Sequence, residues 1–448
     1  MARIVIVGGG IAGLSAAYDL QRDGRHQVTL LERSDRLGGK IVSHRIDGMI
    51  VEGGPDSVFT TKPWAVDLMT ELGLETEIEE PIGSGFSMLV DGKLHAVPRA
   101  LASLIPSDSN AVEAVGFWDE LSRRRIFSEI AVPKGDGSDE SVAAFFRRRF
   151  GDRFSKTLAE PLLGGIQAGN PETLSMKALY PSYIGLEQKN GCLTESGKAP
   201  SSGRSSFITL QGGLYRFVEA VAARLSGVDV RYNFEVAGIE RSSTGLFRIL
   251  GSDGLEADAI VLAISSFAAA SLIRSLAPDA YDPLMRVRHT STAVVSFAFR
   301  GGAFDKGLDG NGFLVPAGEP ANITGCTYSS SKWPDRAPEG VALVRAFMGR
   351  DGGLNVDDFT DERLVETAQA ELIRLLGARE LPSARHLDRW TRSMPQYDLG
   401  HTHRMDQIEQ AIGPLPILLA GCSYRGTGIP DCIRQGRQAA KRILDNEF

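Results

Sequence analysis

The chain has 448 residues, of which 42% are hydrophobic and 23% charged, and its formal net charge is -7. This length predicts two or three domains, and the composition is that of an ordinary globular protein. The negative charge argues against a nucleic-acid partner, because phosphate binding needs a basic surface.

The cysteines and histidines give no sign of a metal site. The four cysteines lack C-x-x-C spacing and predict reduced thiols without a disulfide framework. The histidines have no ligand spacing beyond His401 and His403, so no metal is expected. A first strand at residue 3 and the lack of any apolar run of roughly 20 residues predict a cytoplasmic protein, with peripheral membrane attachment left open.

A dinucleotide-binding pattern begins the chain. The apolar run Ile4–Val7 predicts a buried strand that leads into G-x-G-x-x-G, with Gly8, Gly10 and Gly13, and then a helix from Leu14 to Leu20. Gly8 permits a tight turn, Gly10 lets the backbone approach a pyrophosphate, and Gly13 lets the helix pack on its strand. The pyrophosphate is expected at the helix N-terminus.

Two further motifs bear on which dinucleotide the chain binds. A strand from Val28 to Leu31 ends in Glu32, whose carboxylate is placed to accept both ribose hydroxyls and to repel a 2′-phosphate. The following segment, Arg36-Leu37-Gly38-Gly39-Lys40, leaves backbone unshielded beside the pyrophosphate, and Arg36 and Lys40 are expected to neutralise it. A nicotinamide domain does not require this second motif. The pair of motifs resembles the N-terminus of FAD enzymes, and this resemblance favours FAD over NAD.

A largely helical region runs to about residue 205. Helices are predicted at Trp64 to Leu72, Glu113 to Arg123, Ser141 to Phe150 and Arg153 to Leu163, and an exposed loop at Glu187 to Ser206. The basic clusters Arg123–Arg125 and Arg147–Arg149 predict a solvated helix face, with attachment to anionic lipid or to a neighbouring enzyme as the alternative.

Strands dominate the second half. Val228 to Tyr232, Gly238 to Arg241, Leu246 to Leu250 and Ala259 to Ala263 indicate a return to the nucleotide domain. An antiparallel sheet that floors a substrate cavity is predicted from Thr292 to Phe299, Gly312 to Val315, Gly325 to Ser329 and Ala342 to Phe347. A helix at Asp361 to Leu376 follows, then a strand at Ile417 to Gly421 and a helix to about Leu444.

The C-terminal strand, glycine-rich loop and helix complete the pattern. Gly428 can bring backbone close to a flat ring, and Pro430 suits the first turn of a helix. The helix would direct its positive end at the flavin edge where negative charge collects on reduction. This arrangement predicts an enzyme in which hydride goes to N5.

These motifs resemble FAD enzymes of the glutathione-reductase-like superfamily, in the amine oxidase and protoporphyrinogen oxidase branch. Segments similar to the oxygen-dependent protoporphyrinogen oxidase family occur in the same order over nearly the whole chain: Glu52-Gly53-Gly54-Pro55-Asp56-Ser57, Leu163 to Pro171, Leu210 to Leu214, Met394 to Tyr397, Gly400-His401 and Gly428 to Ile433. Amine oxidases usually have Ala-Gly-Glu or Ala-Gly-Thr-Glu where this chain has Ala420-Gly421-Cys422.

The resemblance implies an α/β fold with three parts. A Rossmann-like FAD-binding domain of the glutathione-reductase type is assembled from residues 1–60, 205–285 and 389–448. Residues 61–84 and 286–388 form an α+β substrate domain, and residues 85–185 form a helical insertion that touches a membrane in several members.

The resemblance also implies an activity in haem biosynthesis. FAD oxidises a porphyrinogen to a porphyrin by six electrons, and oxygen is reduced to hydrogen peroxide. Protoporphyrinogen IX is the expected substrate, with coproporphyrinogen III as the alternative. A flavin amine oxidase and a flavin-binding protein without turnover are the further alternatives. Contact with ferrochelatase or another haem-pathway enzyme stays open, as does the choice between monomer and homodimer.

The resemblance assigns site residues as well. Gly165 would accept ring N–H protons through its carbonyl, Leu314 and Phe347 would form apolar walls, and Lys62 and Arg99 would bind propionates. Phe347 as plain core and Lys62 as a loop charge are the alternatives. Several members have an arginine near the stretch 85–90, and this chain has none there. The expected FAD contacts are Gly8, Gly10, Gly13, Glu32, Arg33, Gly38, Gly39, Lys40, Gly53, Gly54, Pro55, Asp56, Ser57, Val236, Trp390, Gly421, Gly428 and Ile429.

Overall fold

A computed structural model describes residues 1–83, 85–196, 205–251, 254–304, 307–413 and 415–445. The strands are β1 Arg3–Val7, β2 Gln27–Leu31, β3 Ser43–Ile46, β4 Met49–Glu52, β5 Val58–Phe59, β6 Ile78–Glu79, β7 Phe86–Val90, β8 Lys93–Val97, β9 Phe207–Leu210, β10 Val228–Arg231, β11 Gly238–Arg241, β12 Phe247–Leu250, β13 Glu256–Ala257, β14 Ala259–Leu262, β15 His289–Arg300, β16 Gly312–Leu314, β17 Gly325–Tyr328, β18 Val341–Met348, β19 Ala384–Pro395 and β20 Ile417–Leu419.

The α-helices are α1 Ile11–Asp23, α2 Trp64–Glu71, α3 Ser109–Glu113, α4 Glu120–Phe127, α5 Val142–Phe150, α6 Asp152–Phe154, α7 Glu160–Gln167, α8 Met176–Leu179, α9 Pro181–Asn190, α10 Tyr215–Ala222, α11 Ser266–Ile273, α12 Pro278–Met285, α13 Ser329–Lys332, α14 Asp361–Leu376, α15 His401–Ile412 and α16 Ile429–Leu444. Short 3₁₀ turns cover Glu75–Glu77, Arg99–Ser103, Ser128–Ala131, Thr194–Ser196 and Val356–Asp358, and Ser155–Ala159 is a π-helical turn.

A five-stranded parallel sheet has the order β10-β2-β1-β14-β20. Its central strands β1 and β14 are runs of buried apolar residues, as expected when helices cover both faces of a parallel sheet. The strands come from three stretches that are far apart in sequence, residues 3–31, 228–262 and 417–419. The loops after β1, β14 and β20 meet at one edge, where such sheets bind ligands.

Two glycines set the spacing of the helices on this sheet. A Cβ on Gly13 would lie 2.0 Å from the carbonyl oxygen of Gly8, so α1 packs directly on the end of β1. A Cβ on Gly436 would lie 2.1 Å from the carbonyl oxygen of Ala12, which brings α16 equally close to α1. Neither position has room for a side chain.

A seven-stranded mixed sheet has the order β19-β15-β18-β17-β16-β7-β8. Residues 86–97, expected in the helical insertion, supply β7 and β8 of this sheet. Opposed residues project to the same face of a sheet, so one row crosses five strands, from Asp388 through Val294, Phe347 and Gly325 to Leu314. Helix α14 covers the opposite face.

The region from α3 to α9 packs around an aromatic core that contains Trp118, Phe145, Phe146, Phe150 and Phe154. The helix predicted at Glu113 to Arg123 is wrong, because the structure has two helices there, α3 and α4. The break has a local cause. Asp119 accepts a hydrogen bond from the Ser122 amide at 2.7 Å and thereby caps the start of α4.

The loop predicted at Glu187 to Ser206 is wrong at its start. Helix α9 continues to Asn190, and Glu187 is buried. Its carboxylate pairs with Arg148 at 2.6 Å and with the fully buried Arg149 at 3.2 Å, which compensates for the loss of hydration. Residues 197–204 of the predicted loop lie outside the described residues.

The two basic clusters are not a free cationic face. Arg149 pairs with Glu129, and Arg147 pairs with Asp152 and Glu172. In the other cluster, Arg125 donates to main-chain carbonyls of α5, while Arg123 and Arg124 pair with glutamates. Most of these contacts tie α4 and α5 to neighbouring segments, while Arg124 stays largely exposed on α4. No helix in the described ranges is both long and apolar enough to span a membrane.

Candidate active site

The loop after β1 forms an open cradle at the start of α1. Gly8 has a φ of 106°, a conformation that favours glycine. Gly10 caps α1 without any side-chain hydrogen bond, and a Cβ at this position would meet no atom within 4 Å. The first N–H groups of the helix therefore face open space, which fits the pyrophosphate of a dinucleotide.

The second glycine motif lines the same space. Gly38 bridges to Gly10, and a Cβ on Gly39 would lie 3.3 Å from the Gly10 Cα. The Arg36 guanidinium donates to carbonyls of its own loop, among them that of Gly39 at 2.8 Å, and its contact with the pyrophosphate stays a prediction. The Lys40 ammonium lies 3.0 Å from the Cys422 Sγ.

Glu32 is buried beside this cradle, and hydrogen bonds orient both of its carboxylate oxygens. Oε2 accepts from the Gly9 amide at 2.7 Å, and Oε1 accepts from the Ser34 amide at 2.9 Å and the Ser34 hydroxyl at 2.7 Å. Both lone pairs of Oε1 are thereby engaged, while Oε2 keeps one lone pair that can accept a ribose hydroxyl.

We expect Glu32→Ala to weaken FAD binding by one to two decades. The change removes charge-assisted hydrogen bonds worth roughly 1.5 to 3 kcal/mol. Fluorescence titration of the apoprotein with FAD measures the effect. Asp35→Ala, which removes an exposed carboxylate three residues away, is the matched control. Equal affinity in Glu32→Ala and the control would contradict the ribose contact.

The loop from Gly53 to Ser57 is held by side chains of the seven-stranded sheet. The Trp390 Nε1 donates to the Gly53 carbonyl at 2.7 Å, and Arg345 donates to the Gly54 carbonyl. A Cβ on Gly54 would lie 2.0 Å from the Lys40 carbonyl oxygen, so this loop touches the second glycine motif. The main chain of the loop thus borders the cradle.

Asp56 anchors the loop from within the protein. Its Oδ2 accepts from the Lys332 ammonium at 2.9 Å and the Trp333 Nε1 at 3.2 Å, while Oδ1 accepts from the Ser57 hydroxyl. Burial opposes ionisation, yet the charges of Lys332 and Arg345 hold the pKa of Asp56 well below its usual value. The polar side chains of Asp56 and Ser57 therefore have protein partners, and their FAD contacts remain predictions.

The loop before α16 is the third wall of the cradle. Gly421 has a φ of 123°, and Gly428 caps α16 without a side-chain hydrogen bond. The Tyr397 hydroxyl donates to the Cys422 carbonyl at 2.8 Å and accepts from the Gly426 amide at 2.9 Å. The His401 ring stacks on Tyr397 with a centroid distance of 3.7 Å and lies 2.7 Å from the Tyr424 carbonyl through Nε2.

Acid is expected to destabilise this loop. Burial lowers the pKa of His401 from 6.5 to about 4, so in that window the unfolded chain binds a proton that the folded protein does not. The free energy of unfolding therefore falls as the pH is lowered, by about 2 kcal/mol for this residue between pH 7 and pH 5. The pKa of His289 is also lowered to about 4, mainly by burial, and adds to the same loss.

Denaturant unfolding of wild type and His401→Gln at about pH 7 and pH 5 tests this expectation. The acid loss should be smaller in the variant, while His403→Gln, at an exposed position on the same helix, should behave like wild type. An unchanged acid loss in His401→Gln would contradict the assignment.

The remaining expected FAD contacts differ in position. Val236 is half-buried after β10 and packs against the core beneath β14, and Ile429 begins α16. Arg33 follows Glu32 with an exposed side chain. The structure thus brings the glycines and Glu32 into one cradle, and it leaves Arg33 on the surface.

The expected substrate residues lie where α7 faces the seven-stranded sheet. A Cβ on Gly165 would meet only the Leu314 Cδ2, at 3.8 Å, so this side of α7 is open. Phe347 is half-buried, and it stands in the same row of the sheet as Leu314, with Gly325 between them. Gln167 donates to the Thr427 hydroxyl at 3.0 Å and so ties α7 to the loop before α16.

The two expected cations are placed differently. The Lys62 ammonium pairs with Asp431 Oδ2 at 2.6 Å, in the first turn of α16, and its side chain is 41% exposed. It is therefore neither free nor fully solvated. Arg99 begins a 3₁₀ turn after β8 with an exposed side chain.

Sequence reasoning missed Arg350, which lies beside the apolar walls. Its Nη1 donates to the Val315 carbonyl at 3.2 Å, next to Leu314, and the Asp351 amide donates to the Ala168 carbonyl at the end of α7. Desolvation lowers the pKa of Arg350, and no carboxylate of the described residues lies within ion-pair distance of it. A half-buried cation without a counter-ion fits the carboxylate of a ligand.

A signal for Arg350 was present in the sequence. The residue lies two positions after the end of β18, and Gly352 and Gly353 come shortly after it. A Cβ on Gly353 would lie 2.7 Å from the Arg350 Cγ, so the glycine-rich turn makes room for the arginine stem. A cation beside glycines, just after the strand that contains Phe347, is a sequence signal for a carboxylate-binding residue.

Comparison with known proteins agrees with this geometry. The profile of the family described as flavin containing amine oxidoreductase matches residues 11–444. The chain belongs to this family. Members of the flavin containing amine oxidoreductase family bind FAD, and the open cradle with its two uncapped helix N-termini fits that cofactor.

Relatives within this family match the chain over almost its full length. The coproporphyrinogen III oxidase of Bacillus subtilis is 32% identical, with 99% of this chain and 98% of the relative covered. The protoporphyrinogen oxidase of Bos taurus is also 32% identical, with the same coverage. A crystal structure from Exiguobacterium sp. 255-15, provisionally named protoporphyrinogen oxidase, matches with a TM-score of 0.88 and 31% identity over 99% of both chains.

Proposed function

We propose that this chain oxidises a porphyrinogen to a porphyrin, with oxygen as the electron acceptor. The observation that carries the proposal is the open side of Gly165. This side of α7 faces Leu314. The hydrogen bond from Gln167 to Thr427 connects α7 to the loop at the start of α16. A flat apolar substrate against Gly165 would therefore lie beside the expected place of the flavin ring. Relatives named for porphyrinogen oxidation match 99% of the chain.

FAD held at the starts of α1 and α16 would supply the redox chemistry, the transfer of electron pairs from the substrate to oxygen. Removal of six electrons and six hydrogens from one porphyrinogen reduces three O2 to three H2O2. The residues of the chain orient the substrate. The Gly165 carbonyl accepts from the Ala168 amide at 3.2 Å and has a second lone pair for a pyrrole N–H. Leu314 and Phe347 exclude water from the reacting carbon.

We further propose a separate function for each sheet and for the helical insertion. The five-stranded sheet with α1 and α16 forms the Rossmann-like FAD-binding domain, and the seven-stranded sheet is the substrate domain. The helical insertion covers the substrate. Its boundary with the substrate domain lies after residue 97 rather than at residue 85, because β7 and β8 belong to the sheet.

Anaerobic mixing of the holoenzyme with a porphyrinogen tests the activity. We expect the flavin absorbance to bleach and porphyrin fluorescence to appear in step with it. Bleaching by an amine but not by a porphyrinogen would favour an amine oxidase, and bleaching by neither would favour a binding protein. An amine oxidase would need an aromatic cage for its cationic substrate. The two tyrosines near the loop before α16 do not form one, because Tyr397 and Tyr424 are buried and donate to main-chain carbonyls.

The substrate carries two propionates if it is protoporphyrinogen IX and four if it is coproporphyrinogen III. A direct comparison of the two substrates decides between them. Relatives named for coproporphyrinogen III and for protoporphyrinogen share 31 to 32% identity with the chain, so similarity does not separate them. Steady-state kinetics on both porphyrinogens identify the substrate with the higher kcat/KM. Arg350 and Lys62 offer cationic contacts for either one.

We expect Lys62→Gln to raise KM three- to tenfold with a small effect on kcat. A half-exposed ion pair with a propionate contributes about 0.7 to 1.4 kcal/mol, and it acts equally in the ground and transition states. The rise should shrink at high salt. Lys93→Gln, at an exposed strand end, is the control. An unchanged KM would leave Lys62 solely as the partner of Asp431.

A further inference from the structure

Two histidines and an aspartate converge where the β3–β4 hairpin meets the edge of the seven-stranded sheet. His44 lies on β3, and His386 and Asp388 lie on β19. Alternate residues of a strand project to the same face, so His386 and Asp388 point together toward the hairpin. The sequence separates His44 from the other two by more than three hundred residues, which conceals the cluster from spacing rules.

The geometry of the cluster suits ion ligation. The His44 Nε2 lies 2.8 Å from Asp388 Oδ1, and the His386 Nε2 lies 3.3 Å from Asp388 Oδ2. One ligand atom from each residue lies within 4.8 Å of the others. Four ligands around an ion with bonds of about 2.0 Å stand ~3.3 Å apart, so small shifts place the three atoms at corners of a tetrahedron.

Two atoms of the cluster lack a hydrogen bond. His386 Nε2 and Asp388 Oδ2 are both shielded from solvent, and neither has a hydrogen-bond partner in the described part of the chain. The two atoms lie 3.3 Å from each other without forming a hydrogen bond. Buried polar atoms are normally satisfied, and a common ligand would satisfy both.

We propose that His44, His386 and Asp388 bind a divalent transition-metal ion of the Zn²⁺ type. Two imidazoles and a carboxylate suit this borderline ion, and the fourth position is left for water. The cluster stands outside the proposed catalytic site. Asp388 is two strands from Phe347 in the sheet, about 10 Å away.

The ion would brace the loop that borders the FAD cradle. A Cβ on Gly53 would lie 2.5 to 2.6 Å from the three carboxylate atoms of Asp388, so the loop rests directly on this ligand. Trp390, two residues along β19, donates to the Gly53 carbonyl. Metal bound by His44 and Asp388 would link the hairpin, the loop and the sheet, and it would raise the stability of the folded protein.

Isothermal titration of chelator-treated full-length protein with ZnCl2 tests the proposal. We expect one equivalent of Zn²⁺ to bind. His386→Ala and Asp388→Asn should each weaken binding at least tenfold, and His403→Ala, at an exposed histidine, should not. Zn²⁺ should also raise the Tm of wild type and of His403→Ala, but not that of His386→Ala.

Cobalt(II) provides a readout in the wild-type protein that does not depend on whether a variant folds. The visible bands of tetrahedral Co²⁺ with nitrogen and oxygen ligands support the site. A thiolate-to-cobalt charge-transfer band would assign the metal to a cysteine and overturn the proposal. Absence of stoichiometric binding, or equal affinity in His386→Ala, would also overturn it and leave a hydrogen-bonded His–Asp–His cluster.

Discussion

Gly10→Val is expected to yield a folded protein that does not retain FAD. A Cβ at Gly10 meets no protein atom within 4 Å, and the backbone φ of -70° is accessible to valine, so the fold itself tolerates the change. The added side chain would occupy the space at the start of α1 that the pyrophosphate needs. Flavin absorbance per mole of purified protein and the far-ultraviolet circular dichroism spectrum measure the two effects separately.

Two further glycines supply the controls for this experiment. Gly116→Val lies at an exposed site with open space around it and should retain FAD fully. Gly13→Val would place a Cβ 2.0 Å from the Gly8 carbonyl oxygen and should lose the fold together with the cofactor. Full flavin content in Gly10→Val would refute the assignment of the cradle.

Arg350→Gln is expected to raise KM for the porphyrinogen by roughly ten- to a hundredfold. A hydrogen-bonded ion pair between a desolvated guanidinium and a propionate contributes about 1.5 to 3 kcal/mol. The contact is remote from the reacting carbon and acts equally in the ground and transition states, so kcat should change little. Steady-state kinetics with both porphyrinogens measure the effect.

Three observations decide the interpretation of that experiment. The flavin spectrum of Arg350→Gln should match wild type, because the residue lies on the substrate side. Arg350→Lys should raise KM less than Arg350→Gln does, since an ammonium keeps the positive charge but lacks the planar pair of N–H donors of a guanidinium. Arg363→Gln, at an exposed arginine of α14, should leave KM unchanged. A wild-type KM in Arg350→Gln would limit Arg350 to support of the Val315 carbonyl.

The elements that could be predicted from sequence are those with local causes. The run Ile4–Val7, the glycine spacing after it and the acid at Glu32 specify a strand, a turn and a helix within one short stretch. Strands β7 and β8 also have a local signal, the Asp91-Gly92 turn of their hairpin, but the position of β7 in the sheet depends on β16, more than two hundred residues later. Strand β19 is concealed by its charged residues, which an edge strand tolerates.

The residues of the candidate site also differ in whether the sequence alone could predict them. Gly165, Leu314 and Phe347 were expected because the chain follows the motif order of a family, and the fold places Gly165 against Leu314. The pairing of Lys62 with Asp431 could not be predicted, because the two residues are separated by 369 positions and meet only in the tertiary structure. The same holds for the carbonyl of Val315 that orients Arg350.

The parallel sheet also constrains how this protein can be made. Strand β14 pairs with β1 on one side and with β20, at Ile417–Leu419, on the other. During synthesis the apolar edge of β14 therefore stays unpaired until almost the entire chain has left the ribosome. Nascent chains of this kind are clients for chaperones, and fragments that lack residues 417–444 should be degraded rather than accumulate as partial flavoproteins. The complete FAD cradle can therefore form only after the C-terminal segment has been synthesised.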